Sequence, residues 1–201
     1  MPEPTPAKIK SFASPRDLSD WLEAHHATGD ELWVKIYKKG SGVASVSWGD
    51  VVTETLRWGW IDGVKKSLDA EAYLQRITPR KPRSGWSKRN TEQVERLMAE
   101  RRMEAPGLAH VRAAQADGRW ESAYAPASEA EVPADFVAAL EGRPGAKQFF
   151  GGLSKSSKYA ITYGLTTAKR PETRQRRFDK FIGTLERGEE PGFGFKKARK
   201  A

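Results

Sequence analysis

RWGWIDGVKKSLDAEAYLQRITPRKPRSGWSKRN, residues 57–90, holds three tryptophans, nine Lys/Arg and three acids. Two runs within it are rich in strand formers, Trp60–Ser67 and Ala72–Thr78, and four residues, Leu68–Glu71, separate them. That pattern predicts two antiparallel strands joined by a turn, with a bend at Asp62-Gly63. Gly59 is placed to stop a preceding helix. Pro79, Pro82 and Gly85 exclude regular structure over 79–85, and Ser87 or Asn90 then caps a new helix. Helix, strand pair, irregular loop and helix in this order predict an α+β fold.

Working toward the N-terminus, Ser47 with Asp50 forms a capping pair. It opens a helix that carries Val51, Val52, Thr55, Leu56 and Trp58. Glu31–Lys39 alternates as a strand, with Leu32, Val34 and Ile36 on one face and Trp33, Lys35 and Tyr37 on the other. Gly40-Ser41-Gly42 turns the chain, and Val43–Val46 is expected to return as a short strand. Ser14-Pro15-Arg16-Asp17 is a helix start, followed by Leu18, Trp21, Leu22 and His25 at helical spacing. Residues 1–10 are Pro-rich and expected to be loose.

Toward the C-terminus, Val94, Leu97 and Met98 mark one helix and Gly107–Ala116 a shorter one. Residues 121–132 read as a polar linker. Beyond it the pattern is helical throughout. Pro133 opens a helix with Phe136, Val137 and Leu140, and Ser154 caps one with Tyr159, Ile161, Tyr163 and Leu165. Pro171 opens a last one, with Phe178, Phe181, Ile182 and Leu185 in a single stripe. The expected architecture is a small antiparallel sheet with helices over 11–120, the linker, and an all-helical part over 133–188. The tails at 1–10 and 189–201 are expected to be flexible.

The net charge is +9 over 201 residues, which favours negatively charged partners: an anionic small molecule, an acidic protein or nucleic acid. The charge is concentrated in two blocks, a net +6 over residues 76–103 and +8 over 153–201. There is no cysteine, so disulfides, thiolate metal sites and a cysteine nucleophile are excluded. His25, His26 and His110 stand in no metal-binding spacing. No metal or cofactor is expected. No stretch reaches membrane-spanning length and no signal peptide opens the chain, which sets a cytoplasmic expectation. The sequence leaves the oligomeric state open.

The loop Thr78–Asn90 is the chief candidate site. Two prolines stiffen a segment that carries Arg80 and Arg83 and leads onto a helix N-terminus, where free N–H groups favour anions. Ser84, Ser87 and Asn90 add donors, Trp86 a stacking face, and Trp60 and Asp62 in the Gly59–Gly63 segment complete the candidate ligand set. Asp62 suits a general base or an acceptor for Arg80 or Arg83. The same residues also fit a solvated basic loop in which Trp86 fills the core, Ser87 caps and Asp62 shapes a turn. Gly151-Gly152-Leu153-Ser154-Lys155 lacks phosphate-loop spacing and reads as a helix break. On the final helix Lys169, Arg170, Arg174 and Arg177 form a basic face, which suits phosphates or plain solvent.

The segments GWIDG (59–63), TPRKPRSGWSKRN (78–90), GRW (118–120) and AKRPETRQRR (168–177) together resemble the bacteriocin-protection, YdeI/OmpD-associated family, over about Ser11 to Gly188. The resemblance implies an α+β N-terminal part, a helical C-terminal part, and an association with envelope stress and antimicrobial-peptide resistance. It transfers no catalytic residue. Three functions are in view: a non-catalytic binding or stress-tolerance module for an anionic ligand or partner, a nucleic-acid-binding protein, and an enzyme using Asp62 with Arg80 or Arg83.

Overall fold

The computed structural model describes residues 4–192. The fold is α+β, and the chain divides into two compact units, Met1–Ala123 and Tyr124–Ala201. The parts of the expected flexible tails at 1–3 and 193–201 lie outside the described residues. Residues 6–11 differ from the expected loose segment: Pro6–Lys8 is a 3-10 turn, and Ile9–Ser11 is a strand, β1.

The first unit is built on a four-stranded sheet in the order β1-β2-β4-β3, with β2 at Leu32–Tyr37, β3 at Trp60–Ser67 and β4 at Ala72–Pro79. β3 and β4 form the antiparallel pair read from the sequence, and the register slips between Asp62 and Lys65. That bulge is the expected bend. Asp69 makes the connection tight: its Oδ1 accepts the N–H groups of Glu71 and Ala72 at 2.8 and 2.7 Å.

Two expectations fail. The sheet is mixed rather than antiparallel, because β1 runs parallel to β2, pairing Ile9 with Trp33 and Ser11 with Lys35. The segment Val43–Val46 is no strand, and β2 pairs with β4 instead. The Tyr37 N–H goes to the Ser45 hydroxyl at 3.0 Å and the Val46 N–H to the Phe12 carbonyl at 3.0 Å. A side chain and a distant carbonyl thereby satisfy groups that a ladder would have used.

Four helices complete this unit: α1 (Pro15–His25), α2 (Trp48–Arg57), α3 (Lys88–Ala99) and α4 (Ala105–Ala116). α1 and α2 start with complete capping boxes, Ser14 with Asp17 and Ser47 with Asp50. Each such cap contributes about 1 kcal/mol. Leu18, Leu22, Leu32, Val34, Ile36, Val51, Trp60 and Ile77 form one core, which joins α1 and α2 to the sheet. A second cluster, Leu56, Trp86, Val94, Leu97, Val111 and Ala114, holds α2, α3 and α4 together. Two glycines set the α2–α4 approach. A Cβ on Gly107 would stand 2.2 Å from the Arg57 carbonyl oxygen. Gly59, at φ +72°, turns the chain from α2 into β3.

The described elements of the second unit are helices: α5 (Ala134–Leu140), α6 (Pro144–Gly151), α7 (Lys155–Thr166) and α8 (Pro171–Glu186). Their core is Phe136, Leu140, Ile161, Leu165, Ile182 and Leu185, with Phe178 and Phe181 packed against it. Residues 152–154 separate α6 from α7, and Ser154 caps α7 by accepting the Ser157 N–H at 3.1 Å.

Candidate functional site

The end of α2, the start of β3, the end of β4 and the loop into α3 meet around Arg80. β4 ends at Pro79, and the Arg80 N–H donates to the Gly59 carbonyl at 3.0 Å, which ties this loop to the α2–β3 turn. The Arg80 side chain is 3 % exposed. Its Nη1 donates to the Gly85 carbonyl at 3.0 Å, and its guanidinium lies 3.7 Å from the centre of the Trp86 ring. The expected display of Arg80 toward a ligand is therefore corrected. Arg80 turns inward because a planar cation gains from stacking on an indole and from a carbonyl at the loop's far end.

Arg119 makes the matching contact. It is 6 % exposed, donates from Nη1 to the Ser84 carbonyl at 2.8 Å, and is held by Asp117 at 2.7 Å through Nε. Two buried guanidiniums thus take the carbonyls of successive residues, Ser84 and Gly85, and fix the loop. Arg119 lies outside the candidate ligand set read from the sequence, although GRW (118–120) is one of the segments that carry the family resemblance. In that triplet Gly118, at φ +74°, ends α4, Arg119 anchors the loop, and the Trp120 ring lies 4.9 Å from that of Trp86.

The other candidates fall into place around this anchor. Trp60 is in the core: its Nε1–H donates to the His26 carbonyl at 3.2 Å and its ring meets Trp21 edge-on at 5.8 Å. It offers no ligand wall. Trp86 is likewise buried among the residues joining α2, α3 and α4, so its expected role as an open stacking face is corrected. Its ring serves Arg80 and Trp120 instead. Ser87 is the N-cap of α3 and accepts the Asn90 N–H at 3.2 Å, which leaves it a structural task. Asn90 and Ser84 are half-buried.

Asp62 is half-buried on β3 and accepts the Trp48 indole N–H at 3.2 Å. Trp48 itself is 49 % exposed. Burial pushes the Asp62 carboxyl up from its ordinary 3.8, against the opposite pull of the Trp48 N–H and the Arg80 charge. His110 on α4 packs over Gly59, where a Cβ would stand 2.8 Å from the imidazole Cδ2. Burial, and then the charges of Arg80 and Arg119, push this imidazole down from its ordinary 6.5. In the sequence His110 stands in no metal-binding spacing, and nothing near it in the chain points to its two arginine neighbours.

What remains outward on the loop is cationic. Lys81, Arg83, Lys88 and Arg89 are exposed, and their side chains make no hydrogen bond or ion pair among the described residues. The first turn of α3 carries no acid. The second basic block is arranged otherwise. Arg174 pairs with Asp135 at 2.8 Å, and Arg177 donates to the Gly164 carbonyl at 2.7 Å. Of the expected basic face only Lys169 and Arg170, at the N-terminal edge of α8, remain exposed. Among the described residues no three His, Cys, Asp or Glu are grouped to hold a metal ion, and no helix is long and apolar enough to cross a membrane.

The α+β unit that carries this anchored loop corresponds to a family defined by sequence. The chain belongs to the domain family of unknown function DUF8412, whose model matches residues 10–110. Residues 129–188 match the model of the family described as Bacteriocin-protection, YdeI or OmpD-Associated. Of the four segments behind the sequence resemblance, AKRPETRQRR lies inside that second match. GWIDG and TPRKPRSGWSKRN fall in the first match, and GRW in neither. No curated protein and no solved structure matches the chain.

Proposed function

We propose that the protein is a non-catalytic binding module of the YdeI/OmpD-associated kind, serving stress tolerance, and that the loop 81–89 recognises an anionic ligand or partner. One observation carries this reading. Four exposed cations, Lys81, Arg83, Lys88 and Arg89, have no acid to neutralise them, on a loop that two buried arginines hold from within. A fixed loop spends less ordering entropy when it binds, so its charges act at near full strength. The positive end of the α3 dipole, whose first turn carries no acid, adds to them.

The enzyme reading has less support. It required Trp60, Asp62 and the arginines around one pocket, and Trp60 and Arg80 are both buried in packing roles. Asp62 keeps a raised pKa, but the hydrogen bond its carboxylate accepts comes from an indole N–H, that of Trp48.

The test is a thermal-shift and calorimetric titration of the full chain with phosphate, sulfate and nucleotides, in parallel with gel shifts of DNA and RNA at low salt. Small-anion binding that weakens at least about tenfold when Lys81, Arg83, Lys88 and Arg89 are all changed to Ala supports the proposal. Binding of nucleic acid alone, with a steep salt dependence, moves the reading to the nucleic-acid class. No response in either arm overturns both.

A further inference from the structure

An open cleft of about 440 Å³ lies between α1, α2 and the segment that follows α3, and it is built from residues that the loop proposal does not use. Arg57 organises its floor. Its Nη1 donates to Glu54 Oε2 at 2.5 Å and to the Ser19 hydroxyl at 3.2 Å. Its Nη2 donates to Glu104 at 2.7 Å and its Nε to the Arg102 carbonyl at 2.6 Å. The guanidinium is thus committed to the protein and leaves little for a ligand.

The uncommitted groups have the opposite character. Glu54 is 3 % exposed and still lines the cleft; Oε2 is held by Arg57, while Oε1 accepts no hydrogen bond from the described residues. This oxygen keeps contact with solvent in the cleft, so a donor group of a ligand can reach it. The Ser19 hydroxyl accepts from both Arg57 and the Trp58 indole, the latter at 3.0 Å, so both lone pairs are used and its own proton is left to donate. The Glu23 carboxylate makes no hydrogen bond or ion pair among the described residues, and the Asp20 carboxylate has only Arg16 at 4.0 Å. Counted by formal charge, the lining holds four acids and three arginines, in a chain whose total is +9. Trp58 supplies an aromatic flank, which favours cations over anions.

We propose that this cleft binds the ammonium or guanidinium group of a small organic cation, held by Glu54 Oε1 with Glu23 and Asp20 at the rim. The Ser19 proton would serve a carbonyl or hydroxyl oxygen next to the cationic group. The site is independent of the loop 81–89 and takes ligands of opposite charge.

The probe is argininamide, which joins cationic groups to an amide carbonyl. It is titrated into the ¹⁵N-labelled full chain, with the Trp58 indole and Ser19 amide signals as readout and acetate as the anionic control. A saturable shift at both signals is expected, at least about tenfold weaker in the D20N/E23Q double variant. The same titration of a K81A/R83A variant should be unchanged, which separates this site from the loop. Absence of the shift, an equal shift with acetate, or undiminished binding by D20N/E23Q overturns the proposal. The two substitutions are on the exposed side of α1, and a melting temperature equal to that of the parent shows that the fold is kept.

Discussion

Between β4 and α3, Arg80 is buried against Trp86 and Arg119 reaches the same loop from below, while the four cations at the tip point outward without partners. Around the start of α8, Arg174 and Arg177 point to Asp135 and to the Gly164 carbonyl, and the exposed remainder is Lys169 and Arg170. Both segments read as basic blocks of similar density. They differ in which arginines the fold consumes. In the first, structural arginines lie apart from the exposed ones and create a platform for them. In the second, structural bonding takes members of the basic face itself. A dense run of Lys and Arg is therefore a binding surface only after the internal claims on it have been subtracted.

The sharpest way to break this contrast is Arg80→Ala. It removes the stacking on Trp86 and the bond to Gly85, and it opens a gap beside a buried indole. Charged hydrogen bonds and desolvated cation–π contacts contribute roughly 2 kcal/mol each, and they are not additive. The expected loss is about 3 kcal/mol of stability in the first unit, measured by urea unfolding with the Trp signals as reporter. Arg80→Lys should recover only part of it, because an ammonium does not match the planar stack. A loss below about 1 kcal/mol would mean that Arg80 does not carry the loop, and the platform argument would fall with it.

Much of this organisation was legible in the sequence where the relevant physics is local. Ser14 and Ser47 with their acids three residues on, the two strands of 60–67 and 72–79, and the stripe from Phe178 to Leu185 all lie within a few residues of their causes. What was missed depends on distant partners. The fate of Val43–Val46 was decided by Phe12, whose carbonyl takes the Val46 N–H, and by Tyr37, whose N–H goes to Ser45, and the parallel strand at Ile9–Ser11 by Trp33. The candidate site failed in the same manner. Arg80 looked like a displayed cation because its solvent exposure depends on Gly85, Trp86 and the turn at Gly59. Arg119, some forty residues away, gave no sign of reaching Ser84. The exposed half, Arg83 with Lys81, Lys88 and Arg89, needed no tertiary information, since nothing in the fold claims it.

The loop tip tests the other half of the contrast. Changing Lys81, Arg83, Lys88 and Arg89 together to Ala should alter stability by no more than about 0.5 kcal/mol, because surface groups without partners contribute little. It should still reduce anion affinity at least about tenfold and flatten its salt dependence. Lys169→Ala with Arg170→Ala should leave that affinity unchanged. A fall in stability matching that of Arg80→Ala would show that the tip is structural after all.

Acidification offers a gentler probe of the same anchor. His110 has its folded-state pKa depressed below 6.5 by burial and by the two arginines. The unfolded chain then binds its proton more readily, so this group's contribution to stability is present above 6.5 and is lost as the pH falls through the folded value. Asp62 works in the opposite sense and lower in pH. Its raised value favours the folded state below 3.8, and that contribution fades as the pH rises through the folded pKa. A modest decline in the first unit's stability just below 6.5 is expected, measured as denaturant midpoint against pH, and His110→Gln should remove it. An unchanged slope in His110→Gln would assign the decline to other groups.

The smallest effect is expected on α8. Arg174 and Asp135 form a half-exposed pair at 2.8 Å, the kind of contact in which side-chain entropy and solvent screening offset most of the attraction. Arg174→Ala should cost at most about 1 kcal/mol, and adding salt should shrink the difference further, because exposed charges are screened within about 10 Å at 0.1 M. A double-mutant cycle with Asp135→Ala isolates the pair. If the coupling energy reached that of a buried ion pair, about 3 kcal/mol, then α8 would be anchored as firmly as the loop is by Arg80. The contrast between the blocks would then rest only on which cations are left outside.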